Sequence, residues 1–297
     1  MTILTEEMMR EVRRLQFRTR RRVTDLFAGN YHSAFKGSGI EFAEVREYEP
    51  GDDVRSIDWN VTARAGRTFV KRFVEERQLT VMLALDVSGS GMFASVGREK
   101  AFVAAELAAV LAYVAGRHRD RVGLLTFAGS TREFIPPATG RTHLLRIMRE
   151  LVLAREPAGT TDIPSALAFL GNVLRRKAVI FVLSDFLAPQ EGIEGWEPAM
   201  RLLNRRHEVI AVRLSDRREG DLPAAGLVRF RDAETGATRV VDLNKRTRKR
   251  TLELAERTRR EAERAMARCG VDRIDVSTDR PFVHELYRAF RRRGLRR

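Results

Sequence analysis

The apolar run Leu83-Ala84-Leu85 leads directly into Asp86, and Ser88 and Ser90 follow at alternate positions of LALDVSGSGMF, residues 83–93. Alternate residues of an extended chain share a face, so three oxygens could turn to one side, and Gly89 permits a tight backbone path. Two other stretches carry similar donors. AGTTDIPSAL, residues 158–167, opens a helix and offers hydroxyls, and Asp185 in VLSDF ends the apolar run AVIFVL. Two carboxylates with neutral hydroxyls, and neither cysteine nor histidine, make a hard oxygen site suited to Mg²⁺ or Mn²⁺. Taken alone, Asp86 and its serines could equally cap the turn and helix that follow, since such side chains satisfy free backbone N–H groups.

Donors in three separate loops need a scaffold that gathers them. From residue 79 the chain alternates apolar strands, expected at 79–85, 121–127, 178–183, 209–214 and 273–276, with helices at 99–117, 142–153, 163–176, 198–206, 245–268 and 281–293. Runs apolar at every position suit parallel strands buried on both faces. The alternation predicts an α/β fold with a doubly wound, mainly parallel sheet, in which ligands bind outside the carboxyl ends of the strands. Two segments depart from the pattern. TREFIPP, residues 131–137, reads as an antiparallel edge strand ended by prolines. Residues 226–243 hold two alternating segments around Thr235-Gly236, which predicts an inserted β-hairpin.

Upstream, residues 1–30 carry Leu4, Met8, Val12, Leu15, Val23 and Leu26 near helical spacing, with arginines between them, and predict one docking helix. Residues 39–77 are dense in opposite charges and broken by Pro50-Gly51, which predicts a small β-rich subdomain. Trp59 is expected as its core anchor, with Asp52, Asp53 and Asp58 in a salt-bridge network with Arg46, Arg55 and Arg64. The expected division is a helix plus charged β-rich segment over 1–77 and an α/β domain over 78–297.

Composition narrows the class. The 297 residues are 43% hydrophobic, ordinary for a globular chain. The longest weakly polar run, 101–116, contains Glu106 and is shorter than the roughly 20 apolar residues a spanning helix needs. Residues 1–7 offer no apolar signal core, and one cysteine, Cys269, excludes an internal disulfide framework, so a reducing cytoplasm is the expected location. The formal charge is +15, and residues 245–297 hold 18 basic against 8 acidic side chains. Such a surface could attract nucleic acid, anionic lipid or an acidic protein. Leu252, Ala255, Ala262 and Met266 give the basic helix at 245–268 a buried stripe, and no aromatic platform nearby favours bases. His32, His118, His143, His207 and His284 lie scattered with no metal spacing.

The Asp-x-Ser-x-Ser loop, with a threonine and an aspartate from two further loops, resembles the metal-ion-dependent adhesion site of the von Willebrand factor A fold. The resemblance implies that Ser88 and Ser90 ligate the metal directly. It has Asp86 holding the metal directly or through water, Thr161 as the second-loop ligand and Asp185 closing the site, with Thr160 beside Thr161 leaving the register open. One coordination position in such sites stays open for an acidic residue of a partner. EFAEVREYEPGDDVRSIDWNVTARAGRTFVKRF resembles the signature of the bacterial family named domain of unknown function 58, in which this segment precedes an A-type domain. Genes of that family commonly neighbour MoxR-type AAA+ ATPases. Relatives often have methionine directly after the last serine, whereas here Gly91 intervenes before Met92.

The expected function is therefore non-enzymatic: a divalent-cation-dependent protein-interaction module, adaptor to a MoxR-type AAA+ ATPase in protein maturation or complex assembly. The chain contains no G-x-x-x-x-G-K-S/T loop, so any ATP would be hydrolysed by the partner. One alternative is a Mg²⁺-dependent hydrolase, a phosphoesterase or nuclease in which Asp86 and Asp185 hold a metal that activates water. Against it, the three loops show no general base or electrophilic lysine. Another is nucleic-acid binding through the basic C-terminal region, which would weaken steeply with salt.

Overall fold

The computed structural model describes residues 6–22, 25–35, 41–74, 78–93, 95, 98–154, 159–187, 192–223 and 225–295. Two helices come first, α1 (Glu6–Arg22) and α2 (Asp25–Ala34), where one was expected over 1–30. Helical spacing continues across both and conceals the change of element. The charged segment then forms β1 (Glu41–Glu47), α3 (Trp59–Ala65) and β2 (Phe69–Val74), with β1 and β2 paired antiparallel. Trp59 corrects the expected core: its side chain is 67% exposed, because it opens α3 directly after the cap residue Asp58. Among the described residues, members of the expected salt-bridge network also act as caps. Arg46 does bind Asp52 at 2.6 Å, but Asp53 accepts from Arg55 N–H, and Asp58 from the N–H groups of Asn60 and Val61.

The main body follows as β3 (Thr80–Asp86), α4 (Lys100–Arg117), β4 (Arg121–Phe127), β5 (Thr131–Ala138), α5 (Arg141–Leu153), α6 (Ile163–Val173), β6 (Val179–Ser184), α7 (Gly192–Arg206) and β7 (Glu208–Ser215). It closes with α8 (Arg217–Gly220), β8 (Gly226–Arg231), β9 (Thr238–Leu243), α9 (Lys245–Arg268), β10 (Asp272–Ser277) and α10 (Val283–Gly294). One six-stranded sheet runs β10-β7-β6-β3-β4-β5, parallel throughout except for β5, the antiparallel edge strand. Strands β8 and β9 form a separate hairpin with Gly236 in the left-handed conformation at its turn. The fold is thus α/β with a doubly wound, mainly parallel sheet.

Alternation explains the two cores. Val81, Leu83 and Leu85 of β3 bury into one layer, whereas Met82 and Ala84 bury into the other. The first layer takes in α4, a helix buried almost all round, and with it α5 and α10. Val12, Leu15, Tyr31, Ala34 and Phe35 join that layer, so the two N-terminal helices share the core of the domain that the sequence division at residue 77 sets apart from them. Tyr31 Oη donates to buried Asp120 at 2.9 Å, and Arg18 of α1 reaches Glu106 of α4 at 3.4 Å. The second layer takes α6, α7 and α9. Helix α9 buries Ala262, Ala265 and Met266, while Arg257, Arg259 and Arg260 pair with glutamates of the same helix. Among the described residues no helix is long and apolar enough to cross a membrane.

Candidate metal centre

The order of the sheet decides where the site falls. The chain leaves β3 toward β4 on one side, yet later places β6 against the other side of β3, so the crossovers diverge between β3 and β6. The crevice beyond the carboxyl ends of those two strands is where a doubly wound sheet binds ligands. Asp86 ends β3, and Ser184 and Asp185 end β6.

Asp86 is buried and held from two directions. Its Oδ1 accepts from Ser88 N–H at 3.0 Å and its Oδ2 from Ser184 Oγ at 2.6 Å. Ser184 Oγ in turn accepts from Phe186 N–H at 3.0 Å. No ion pair to Asp86 occurs among the described residues, and burial, joined by the charge of Asp185, pushes its carboxyl up to about 6. Ser88 Oγ and Ser90 Oγ lie 3.1 Å apart, brought together by a 3-10 turn over Gly89–Met92 and not by the extended chain that their alternation suggests. The capping role foreseen as an alternative is also present locally, since Asp86 does accept the Ser88 N–H group.

Asp185 is organised differently. Its Oδ2 accepts from Lys100 Nζ and its Oδ1 from Leu187 N–H, at 2.8 and 3.0 Å. Lys100, the first residue of α4, is itself buried and also reaches Glu219 of α8 at 2.8 Å. Burial opposes the charge on Lys100, but the two carboxylates outweigh it and raise its pKa. The next residue, Phe186, sits at φ 57°, a left-handed conformation costing a non-glycine residue on the order of 1–3 kcal/mol. Its ring, fully buried against Trp196 with centroids 5.6 Å apart, holds the backbone there.

Thr161 stands on the loop ahead of α6, whose first turn is capped by Asp162 accepting from Ser165 N–H. Thr161 Oγ1 donates to Glu234 Oε1 of the β8–β9 turn at 2.9 Å. The hydroxyl of its neighbour Thr160 lies instead against Gly129, 3.0 Å from where a Cβ would stand on that glycine. Asp86, Ser88, Ser90 and Asp185 line one small cleft with Ser184 and Lys100. Thr161 lies outside that lining, as does Glu234, which accepts its hydroxyl. A second, larger cleft of about 640 Å³ opens beside Asp185, between α8, α9 and the ends of β7 and β10.

Loop paths are fixed by two further contacts. Asp216 is buried after β7 and gathers Ser95 N–H, Ser95 Oγ, Arg218 N–H and Thr278 Oγ1, tying the loop after β3 to the far side of the sheet. Burial would raise its pKa, but these hydrogen bonds outweigh that and lower it. Gly89 donates to Gly159 O at 2.9 Å, and a Cβ on Gly89 would stand 2.1 Å from Ala233 O. Glycine is required here by the closeness of the hairpin backbone.

The donor set suits a hard divalent cation. Its atoms are all oxygen, two hydroxyls already converge, and a buried carboxylate carries negative charge without an ion pair. Among the described residues no three His, Cys, Asp or Glu converge as metal ligands, so a cation would depend on the serine and threonine hydroxyls. Sequence reasoning missed Lys100, Ser184, Glu219 and Glu234. Only Lys100 leaves a local trace, as a lysine at the head of a helix apolar on nearly every side.

Residues 44–262 match the family model described as "Protein of unknown function DUF58". Uncharacterized protein Rv1480 of Mycobacterium tuberculosis is 31% identical over 287 residues, covering 95% of this chain and 89% of its own. Among solved structures, conserved hypothetical protein BatB from Bacteroides thetaiotaomicron superposes with a TM-score of 0.48 at 17% identity, covering 73% of this chain and 99% of its own. A von Willebrand factor type A structure from Catenulispora acidiphila gives a TM-score of 0.42 at 12% identity, covering 74% of this chain and 42% of its own. By the extent of the family match and the identity to the mycobacterial relative, the chain belongs to the DUF58 family.

Proposed function

We propose that the protein is a non-enzymatic interaction module of the cytoplasm that binds Mg²⁺ or Mn²⁺ at the carboxyl edge of its sheet and engages an acidic residue of a partner through that ion. Ser88, Ser90 and Thr161 would supply hydroxyl oxygens, Asp86 a carboxylate directly or through water, and Asp185 the closing carboxylate. The ion would supply a positive centre that a carboxylate can ligate. The observation that carries the reading is the buried Asp86 carboxylate, without an ion pair among the described residues, beside two convergent serine hydroxyls at the point where the crossovers diverge. An enzymatic reading gains little from the cleft. The lysine it contains, Lys100, is engaged by Asp185 and Glu219 and is not poised to stabilise a reacting oxyanion. Resemblance to relatives whose genes neighbour MoxR-type AAA+ ATPases supports such an ATPase as the collaborating machine.

Calorimetric titration with Mg²⁺ and Mn²⁺ tests the reading, run beside the double variant Ser88→Ala, Ser90→Ala with its fold checked by circular dichroism. Saturable binding of one ion per chain, lost in the variant, is the expected result. If the wild type binds neither ion, even with acetate present to supply a partner-like carboxylate, the metal reading is refuted.

A further inference from the structure

Among the described residues the hairpin β8–β9 pairs with no other strand, and its outer surface is exposed: Leu227 is 76% and Val240 59% accessible. Its base is anchored by buried Leu243. Its tip, by contrast, reaches back over the candidate metal centre. There the backbone of Ala233 and Glu234 presses on Gly89 so closely that a Cβ on Gly89 would stand 2.7 Å from Ala233 C and 3.2 Å from Glu234 Cα. Glu234 then accepts the hydroxyl of Thr161, the second-loop donor. The tip therefore meets two of the three donor loops.

The turn is built to present that side chain. Asp232 Oδ1 accepts from the N–H groups of Glu234 and Thr235, both at 2.9 Å, and Gly236 N–H closes onto Asp232 O at 2.9 Å. Gly236 at φ 73° lets the chain turn back without strain. Of the two carboxylate oxygens so presented, Oε1 is used by Thr161. Oε2 is buried and has no hydrogen-bond partner among the described residues. A buried carboxylate oxygen left unpaired forfeits its hydration without replacement. Glu234 also lies near enough to Asp185 for their charges to repel. A cation beside Asp86, Ser88 and Ser90 would relieve both.

We propose that Glu234 is an internal ligand of the oxygen site, occupying the position that an acidic residue of a partner would take, so that docking requires the hairpin carboxylate to be displaced. The inference rests on the metal reading above. It adds a self-ligated resting state, and it makes the hairpin the element a partner must move.

Mn²⁺ itself is the probe. Water-proton relaxation counts the exchangeable waters on bound Mn²⁺, and calorimetry establishes that the ion is bound. Glu234→Ala is expected to gain about one inner-sphere water over the wild type, and added acetate should remove the gain while leaving the wild type unmoved. Glu234→Asp, one methylene shorter and still charged, should resemble Glu234→Ala; because it conserves charge at a turn position, it separates loss of reach from any loss of fold. Equal relaxation and equal acetate response in wild type and Glu234→Ala, with Mn²⁺ bound to both, would overturn the proposal and leave the metal reading standing. Mn²⁺ binding by Glu234→Ala but not by the wild type would overturn both, for Glu234 would then exclude the ion from the native chain instead of ligating it. If neither protein binds Mn²⁺, the metal reading fails and the internal ligand with it.

Discussion

Replacing Asp86 by asparagine in metal-free protein removes a buried charge while keeping nearly the same shape. The native carboxyl holds its proton up to about pH 6, against an ordinary value of 3.8. Between those values the folded chain binds more protons than the unfolded chain, so stability falls as pH rises from about 4 to above 6 and then levels off. At pH 7 the penalty is about 3 kcal/mol, from roughly 1.4 kcal/mol for each unit by which the two states differ; at pH 5 it is about half that. The asparagine oxygen can still accept from Ser88 N–H, but Ser184 Oγ must turn from donor to acceptor while also receiving Phe186 N–H, a loss of about 1–2 kcal/mol. With chelator present, urea unfolding should therefore show Asp86→Asn more stable than wild type at pH 7 by about 1–2 kcal/mol, with the difference smaller by about 1.3 kcal/mol at pH 5. Saturating Mg²⁺ should reverse the order, since ligand at a hundred times its dissociation constant adds about 2.7 kcal/mol to the wild type alone. A stability difference that is the same at pH 5 and pH 7 in chelator would refute the reasoning, because the buried charge would then not be what separates the two proteins.

Two other substitutions probe the surroundings. Lys100→Met leaves Asp185 buried without its ammonium and should cost about 3–5 kcal/mol in urea unfolding, whereas a loss under 1 kcal/mol would mean the ion pair does not hold the loop after β6. Gly89→Ala forces the hairpin tip away from the loop after β3. Amide exchange at Glu234 and Thr235 should quicken with little change in global stability, and unchanged exchange would show that the tip is not seated as described.

Much of the scaffold was legible because its signals are local. The run Ala178–Leu183 is apolar at every position since β6 is covered on both faces, and the pair Thr235-Gly236 marks a turn by its own backbone needs. The serines Ser88 and Ser90 also stood out in the sequence, but a 3-10 turn over Gly89–Met92, not a shared strand face, brings their hydroxyls together. What remained hidden depends on contacts between distant segments. Nothing around Glu234 shows that it will meet Thr161, because that meeting follows from how the hairpin folds back across the sheet edge. Lys100 falls inside the expected helix 99–117 without a role there, and its pairing with Asp185 and Glu219 appears only when α4, β6 and α8 are brought together. Trp59 failed for the opposite reason: its size suggests burial, but its position as the opening residue of α3 turns it outward.

The aromatic cluster under the sheet has a consequence for how the chain is made. Phe35, from the end of the N-terminal helices, packs edge-on against Phe181 of β6 and Phe290 of α10, with ring centroids 5.8 and 5.2 Å apart. One wall of this cluster, Phe35, is translated long before another, Phe290. At about 5–20 residues per second, the first helices wait some 12–50 s for the last. During that interval Phe35 and its neighbours lack part of their native surroundings, so the layer that buries them closes only after α10 has been made.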